Sequence, residues 1–82
     1  MIDMNIEEKI MQMIAERFNK SVEDLDRDTE FVSDLSADSL DQVELTIDIE
    51  DEFELPEVSE EDLTKIVTIG DLVDYVQDHV EG

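Results

Sequence analysis

Helical spacing with almost nothing to interrupt it limits this chain more than any other feature. Its 82 residues include two glycines, Gly70 and Gly82, and one proline, Pro56. A sheet of short strands needs tight turns, and tight turns draw on Gly, Pro and Asn. The apolar residues recur instead at helical intervals. Ile6, Ile10, Met13, Ile14 and Phe18 fall at i, i+4, i+7, i+8 and i+12, one stripe on a helix from about Met4 to Asn19. Glu7 and Glu8 in its first turn and Arg17 and Lys20 at its end suit the helix dipole. Ser21 to Leu25 reads as one capped turn. A polar loop follows from Asp26 to Ala37, with Phe31 and Leu35 as its anchors, and a loop this long is functional or mobile in most small domains.

A second helix is predicted from Ser39 to Phe53, with Asp38 as N-cap, Asp41 at its third position and Pro56 just past its end. Ser59 with Asp62 opens a short helical turn carrying Leu63, Ile66 and Val67. Thr68 with Asp71 opens the last helix, whose buried face is Ile69, Leu72, Val73, Val76 and Val80. The expected fold is all-α: a small four-helix bundle of three main helices and one short one, with a long first loop, in a single domain over 1–82.

The second helix has one apolar face too many. At about 100° per residue, Leu45, Ile49 and Phe53 fall on one side and Leu40, Val43 and Ile47 on nearly the opposite side. Asp41, Glu44, Asp48, Asp51 and Glu52 fill a flank between them. A helix against one core needs one stripe. Leu45, Ile49 and Phe53 are assigned to the core, which leaves Leu40 and Ile47 as an exposed patch beside a carboxylate row. Apolar anchors flanked by steering charges make a partner site. The alternative is that both stripes are buried and the acids are a solvated face.

The net charge is −21, from 26 acidic and 5 basic residues. Residues 1–27 carry seven acids and four bases, while residues 28–82 carry nineteen acids and one base, Lys65. Such a chain is expected to bind neither nucleic acid nor an anionic membrane, since both are held through Lys and Arg. No apolar run reaches spanning length, and the first residues lack a signal-peptide pattern, so a soluble cytoplasmic monomer is expected. With no cysteine there is no disulfide and no thiolate chemistry. The run Asp48 to Glu52 is expected to gather divalent cations loosely, without a dedicated metal site, and added magnesium should raise the melting temperature.

Catalysis by the chain itself is not expected. The single histidine, His79, lies near the end of the last helix and suits that position as a cation. Ser39 belongs to the start of a different helix, so a serine–histidine pair is not indicated. So small a domain can hardly enclose a carboxylate pair away from water. Ser39 is either an ordinary helix-start serine or, with Asp38 already capping, an outward hydroxyl for another enzyme to modify.

The segment Leu35-Ser36-Ala37-Asp38-Ser39-Leu40-Asp41-Gln42-Val43-Glu44-Leu45 resembles the prosthetic-group attachment motif of acyl carrier proteins. Asp28-Thr29-Glu30-Phe31, Glu50-Asp51-Glu52-Phe53, Lys65-Ile66-Val67-Thr68-Ile69 and Asp74-Tyr75-Val76 also resemble the bacterial fatty-acid-synthesis members. Two departures stand out: Ser36 replaces the usual Gly before the motif, and Val58-Ser59 replaces an Ile-Pro pair in a segment one residue longer.

The resemblance implies a covalent 4′-phosphopantetheine arm on Ser39, flanked by Asp38 and Leu40 and drawn from coenzyme A by a phosphopantetheinyl transferase. Acyl groups would ride on the arm's thiol. Leu40, Asp41, Glu44, Ile47, Asp48, Glu50 and Asp51 would face basic patches on malonyl transferase, ketoacyl synthase, reductase, dehydratase and acyltransferase enzymes. Phe31, Leu45, Ile49, Ile66 and Leu72 would shelter the acyl chain. Rival readings are a carrier of D-alanyl, peptidyl or polyketide intermediates, or an unmodified acidic adaptor.

Overall fold

Asn5 starts the first helix of the computed structural model, which describes residues 5–80. Helix α1 spans Ile6–Phe18, and its cap is a reciprocal box in which Asn5 accepts from the Glu8 amide and Glu8 from the Asn5 amide. The predicted start at Met4 lies outside the described residues. Asn19 ends the helix in the left-handed conformation at φ 57°, where Asn is tolerated better than most residues. A single 3₁₀ turn over Val22–Asp24, capped by Ser21, follows.

Helix α2 spans Ser39–Phe53, α3 spans Glu60–Lys65 and α4 spans Ile69–His79. Three caps expected from the chain form as hydrogen bonds: Asp38 accepts from the Asp41 amide, Ser59 from Asp62 and Thr68 from Asp71. Helix α2 ends before Pro56 is reached. Glu54 turns left-handed at φ 56°, and the Leu55 amide donates back to the Glu50 carbonyl. The only extended pairing among the described residues is one antiparallel bridge between Glu30 and Thr68. The fold is an all-α bundle with a long connection between α1 and α2.

Helix α1 packs on α4 and α2. Ile10, Ile14, Phe31, Leu45, Ile49, Ile69, Leu72, Val73 and Val76 are at most 2% exposed and form its centre. Four placements differ from the spacing argument. Met11 and Ala15 are buried although they lie beside the predicted α1 stripe. Phe53 and Val80 reach the core only in part. Ile66 and Val67 come after α3 rather than on it, so Ile66 is buried and Val67 is half exposed. Ala37 joins the core from the loop.

The long loop is tied down. Phe31 and Leu35 are buried, as expected. The loop backbone also clamps the start of α4. The Gly70 amide donates to the Arg27 carbonyl at 2.9 Å, Ile69 to Thr29 at 2.9 Å, and Phe31 to Val67 at 3.1 Å. Arg27 adds ion pairs to Glu7 of α1 at 3.2 Å and Asp74 of α4 at 2.7 Å, and those carboxylates raise its pKa. Buried Thr29 is satisfied within the loop: its hydroxyl accepts from the Asp26 amide at 3.0 Å.

Candidate functional site

The site begins where the loop turns into α2. Leu35 and Ala37 are buried on either side of exposed Ser36. Ser36 is held left-handed at φ 56°, a region that costs a residue with a Cβ about 1–2 kcal/mol. The backbone geometry that favours Gly at this position is therefore kept, with Ser bearing it. The Leu35 amide donates to Glu30 and the Ala37 amide to Phe31, which fixes the loop on both sides of the turn.

Asp38 then caps α2. Its carboxylate accepts from the Asp41 amide at 2.9 Å, and the Asp41 carboxylate accepts from the Asp38 amide at 3.2 Å. Both acids closest to Ser39 in sequence are thus turned onto backbone. Ser39 is exposed at the first helical position, and among the described residues its hydroxyl has no hydrogen-bond partner. Gln42 is the first residue to donate into the helix ladder, to the Asp38 carbonyl at 3.1 Å. With the Asp41 amide taken by the cap, the amides of Ser39 and Leu40 remain as open donors at the positive end of the helix dipole.

The doubled apolar face of α2 divides as the wheel predicts except at Phe53, which is only partly buried. Leu45 and Ile49 are buried, whereas Leu40 is 62% exposed, Ile47 55% and Val43 37%. Thr46 is buried too, and its hydroxyl donates to the Gln42 carbonyl at 2.7 Å, satisfying it within the helix. Exposed Val67 is a neighbour that periodicity missed. It follows Ile66, whose carbonyl accepts from the Gln42 side chain at 3.5 Å, and only the fold brings that segment to the start of α2.

The acids beside this patch do not behave alike. Asp41 is spent on the cap. Glu44 and Asp48 lie 2.7 and 4.0 Å from the Arg17 guanidinium of α1, and Glu52 pairs with Lys9. Asp51 has no ion pair among the described residues. Glu50, which the resemblance implies would face partners, is engaged within the chain. It is half-buried, and its carboxylate accepts from the Val58 amide at 2.6 Å, which holds the segment between α2 and α3. A short groove of about 210 Å³ lies there, lined by Val43, Ile47, Glu50, Val58 and Leu63 among others.

Phe31, Leu45, Ile49, Ile66 and Leu72 are brought together in one cluster, each at most 7% exposed. They form closed core, so an occupant would have to part the helices. His79 is far along α4 in sequence. Its Nδ1 bonds the Tyr75 carbonyl at 2.8 Å and its ring stacks on Tyr75 at 4.1 Å, while burial raises the Tyr75 phenol above its ordinary pKa. No group of three or more metal-ligating side chains occurs among the described residues, and none of their helices is long and apolar enough to cross a membrane.

Comparison with known proteins bears on this geometry. Residues 8–76 match the family described as the phosphopantetheine attachment site. The fold is similar to that of the acyl carrier protein from Enterococcus faecalis, a protein described for its high thermal stability. The TM-score is 0.77 at 32% sequence identity, covering 90% of this chain and 92% of that one.

Proposed function

The chain belongs to the acyl carrier protein family, whose members carry a phosphopantetheine attachment site, and on that premise we propose that it shuttles acyl chains for fatty-acid synthesis from an arm on Ser39. The observation that carries this reading is the exposed, unpartnered Ser39 hydroxyl at the first position of α2. Asp38 holds the cap, so modifying Ser39 costs the helix no hydrogen bond. The open Ser39 and Leu40 amides suit a phosphodiester, because a helix N-terminus favours an anion. When bound, 4′-phosphopantetheine supplies the thiol on which acyl groups are held, which the cysteine-free chain cannot supply.

In this reading the chain is a single non-catalytic domain acting in the cytoplasm. Phosphopantetheinyl transferase modifies it, and synthase, reductase, dehydratase and acyltransferase enzymes use it. Leu40 and Ile47 are the apolar anchors, and Glu44, Asp48 and Asp51 meet basic patches on those enzymes. Glu50 is left to hold the segment after α2. Contacts of this kind are fast and salt-sensitive, as a shuttle requires. The acyl chain enters among Phe31, Leu45, Ile49, Ile66 and Leu72 by parting the helices, and each buried CH₂ contributes about 0.8 kcal/mol.

Intact mass tests the attachment. Incubation with coenzyme A and a phosphopantetheinyl transferase should shift the chain by one arm, and Ser39→Ala should stay unshifted. A chain that never shifts refutes the reading. Loading of the modified chain by malonyl transferase, and not by an amino-acid ligase, separates fatty-acid synthesis from D-alanyl or peptidyl carriers.

A further inference from the structure

The acid row of α2 is partly occupied from within. The Arg17 guanidinium lies 2.7 Å from Glu44 and 4.0 Å from Asp48, which share one face at i and i+4. It sits in a groove of about 470 Å³ between α1 and α2 that Asp48, Asp51 and Glu52 also line. The Arg17 side chain is 27% exposed, against 51% for Glu44 and 58% for Asp48, so the cation lies beneath acids that face outward. Lys9 reaches Glu52 one turn farther along.

We propose that Arg17 is an internal counter-ion that competes with a partner's basic residues for Glu44 and Asp48 and so weakens this chain's grip on its enzymes. The inference rests on the partner face assigned above. A Lys or Arg arriving on a partner meets two carboxylates already facing a cation, and must displace or share it. Asp51 lines the same groove but has no ion pair among the described residues, so it keeps more of its attraction. The arrangement therefore sets which acids dominate the encounter: Asp51 leads, and Glu44 and Asp48 follow. A half-exposed pair exchanges readily, because water screens both its formation and its loss. Arg17 thus adjusts affinity and release without blocking the face.

The probe is phosphopantetheinyl transferase with coenzyme A, read as KM for the unmodified chain. Arg17→Gln should lower KM about threefold at low salt, equivalent to about 0.6 kcal/mol at about 1.4 kcal/mol per tenfold. The gain should fade by roughly 0.3 M salt, where screening is strong. Glu44→Gln should raise KM more in the Arg17→Gln background than in the parent. Lys20→Gln removes the same charge at the end of α1 and should change KM far less. Arg17→Met, which keeps an unbranched stem, replaces Arg17→Gln if the latter loses helical circular dichroism. An unchanged or raised KM in a folded Arg17 variant overturns the inference, and so does an equal drop in Lys20→Gln. Asp51→Lys separates the two levels. If it loads as well as the parent, the partner face itself fails and this inference with it. If it loads poorly while Arg17→Gln changes nothing, only the counter-ion role fails.

Discussion

Gly70→Ala sets two effects of opposite sign against each other. Gly70 is buried in the first turn of α4, where alanine would favour the helix by about 1 kcal/mol. The added Cβ would stand 3.0 Å from the Arg27 carbonyl oxygen, 3.2 Å from Arg27 Cβ and 3.4 Å from its Nε. The nearest of these is backbone, so no side-chain rotation relieves it. That same oxygen accepts the Gly70 amide at 2.9 Å, and Arg27 is held by Glu7 and Asp74. Moving it strains the neighbouring Ile69–Thr29 bond as well. Overpacking costs about 1–3 kcal/mol and a weakened hydrogen bond about 1 more, so the net loss should be about 1–3 kcal/mol. For a domain of this size each kcal/mol moves the melting temperature by about 4–8 °C. The melting temperature followed by far-ultraviolet circular dichroism should therefore fall by roughly 4–24 °C. A melting temperature equal to or above the parent's would show that the loop yields freely at Arg27, and the clamp on α4 would have to be abandoned.

Two further substitutions test the site's frame. Ser36→Gly should stabilise the chain by about 0.5–1 kcal/mol, because the left-handed penalty of about 1–2 kcal/mol exceeds glycine's entropic cost of about 0.5–1 kcal/mol. A fall in melting temperature would instead mean that the Ser36 side chain contributes something its exposure conceals. Asp71 accepts from the Thr68 and Val67 amides at 3.1 Å each, and these bonds hold its carboxyl below its ordinary pKa of 3.8. A depressed carboxyl stabilises the fold above its unfolded value, and that contribution disappears as pH falls through the folded one. Asp71→Ala should thus cost about 1 kcal/mol at neutral pH. Denaturant unfolding should show the deficit shrinking as pH is lowered below 3.8, and a deficit unchanged across that range would refute the assignment.

What could be read before folding follows the range of each interaction. Helix starts were legible because a cap and its partner are three residues apart: Asp38 with Asp41, Ser59 with Asp62, Thr68 with Asp71. The exposed stripe of α2 was legible because Leu40, Val43 and Ile47 recur within one helix and contradict a single core. The wheel leaves Glu50 outside the acidic row, and only the family resemblance implies a partner role for it; its bond to the Val58 amide, eight residues on and past a turn, lies beyond the reach of periodicity. Val67 was missed for a similar reason, since the crossing of the α3–α4 segment against Gln42 is a property of the assembled bundle. The left-handed turn at Ser36 had a trace in the sequence, as a departure from the glycine usual in the family, but the departure alone did not say which way the backbone would go.

The uneven charge follows from where the bases are used. Lys9 and Arg17 on α1 both reach acids of α2, and Arg27 in the loop reaches α1 and α4. Three of the four cations of residues 1–27 thus bridge elements, each meeting carboxylates from another part of the chain. None of these pairs is buried enough to add much stability by itself. Their effect is on a surface that would otherwise repel itself along its whole length, because each cation stands between acids that the fold has brought near one another. At α2 this relief has a consequence for recognition. The acids that Arg17 and Lys9 quiet are those nearest α1, while Asp51 stays unpaired beside the exposed apolar residues. On the counter-ion proposal above, a basic partner is drawn to one side of the helix and not to its full acidic length. The direction of approach would then be set by the placement of a few positive charges against many negative ones.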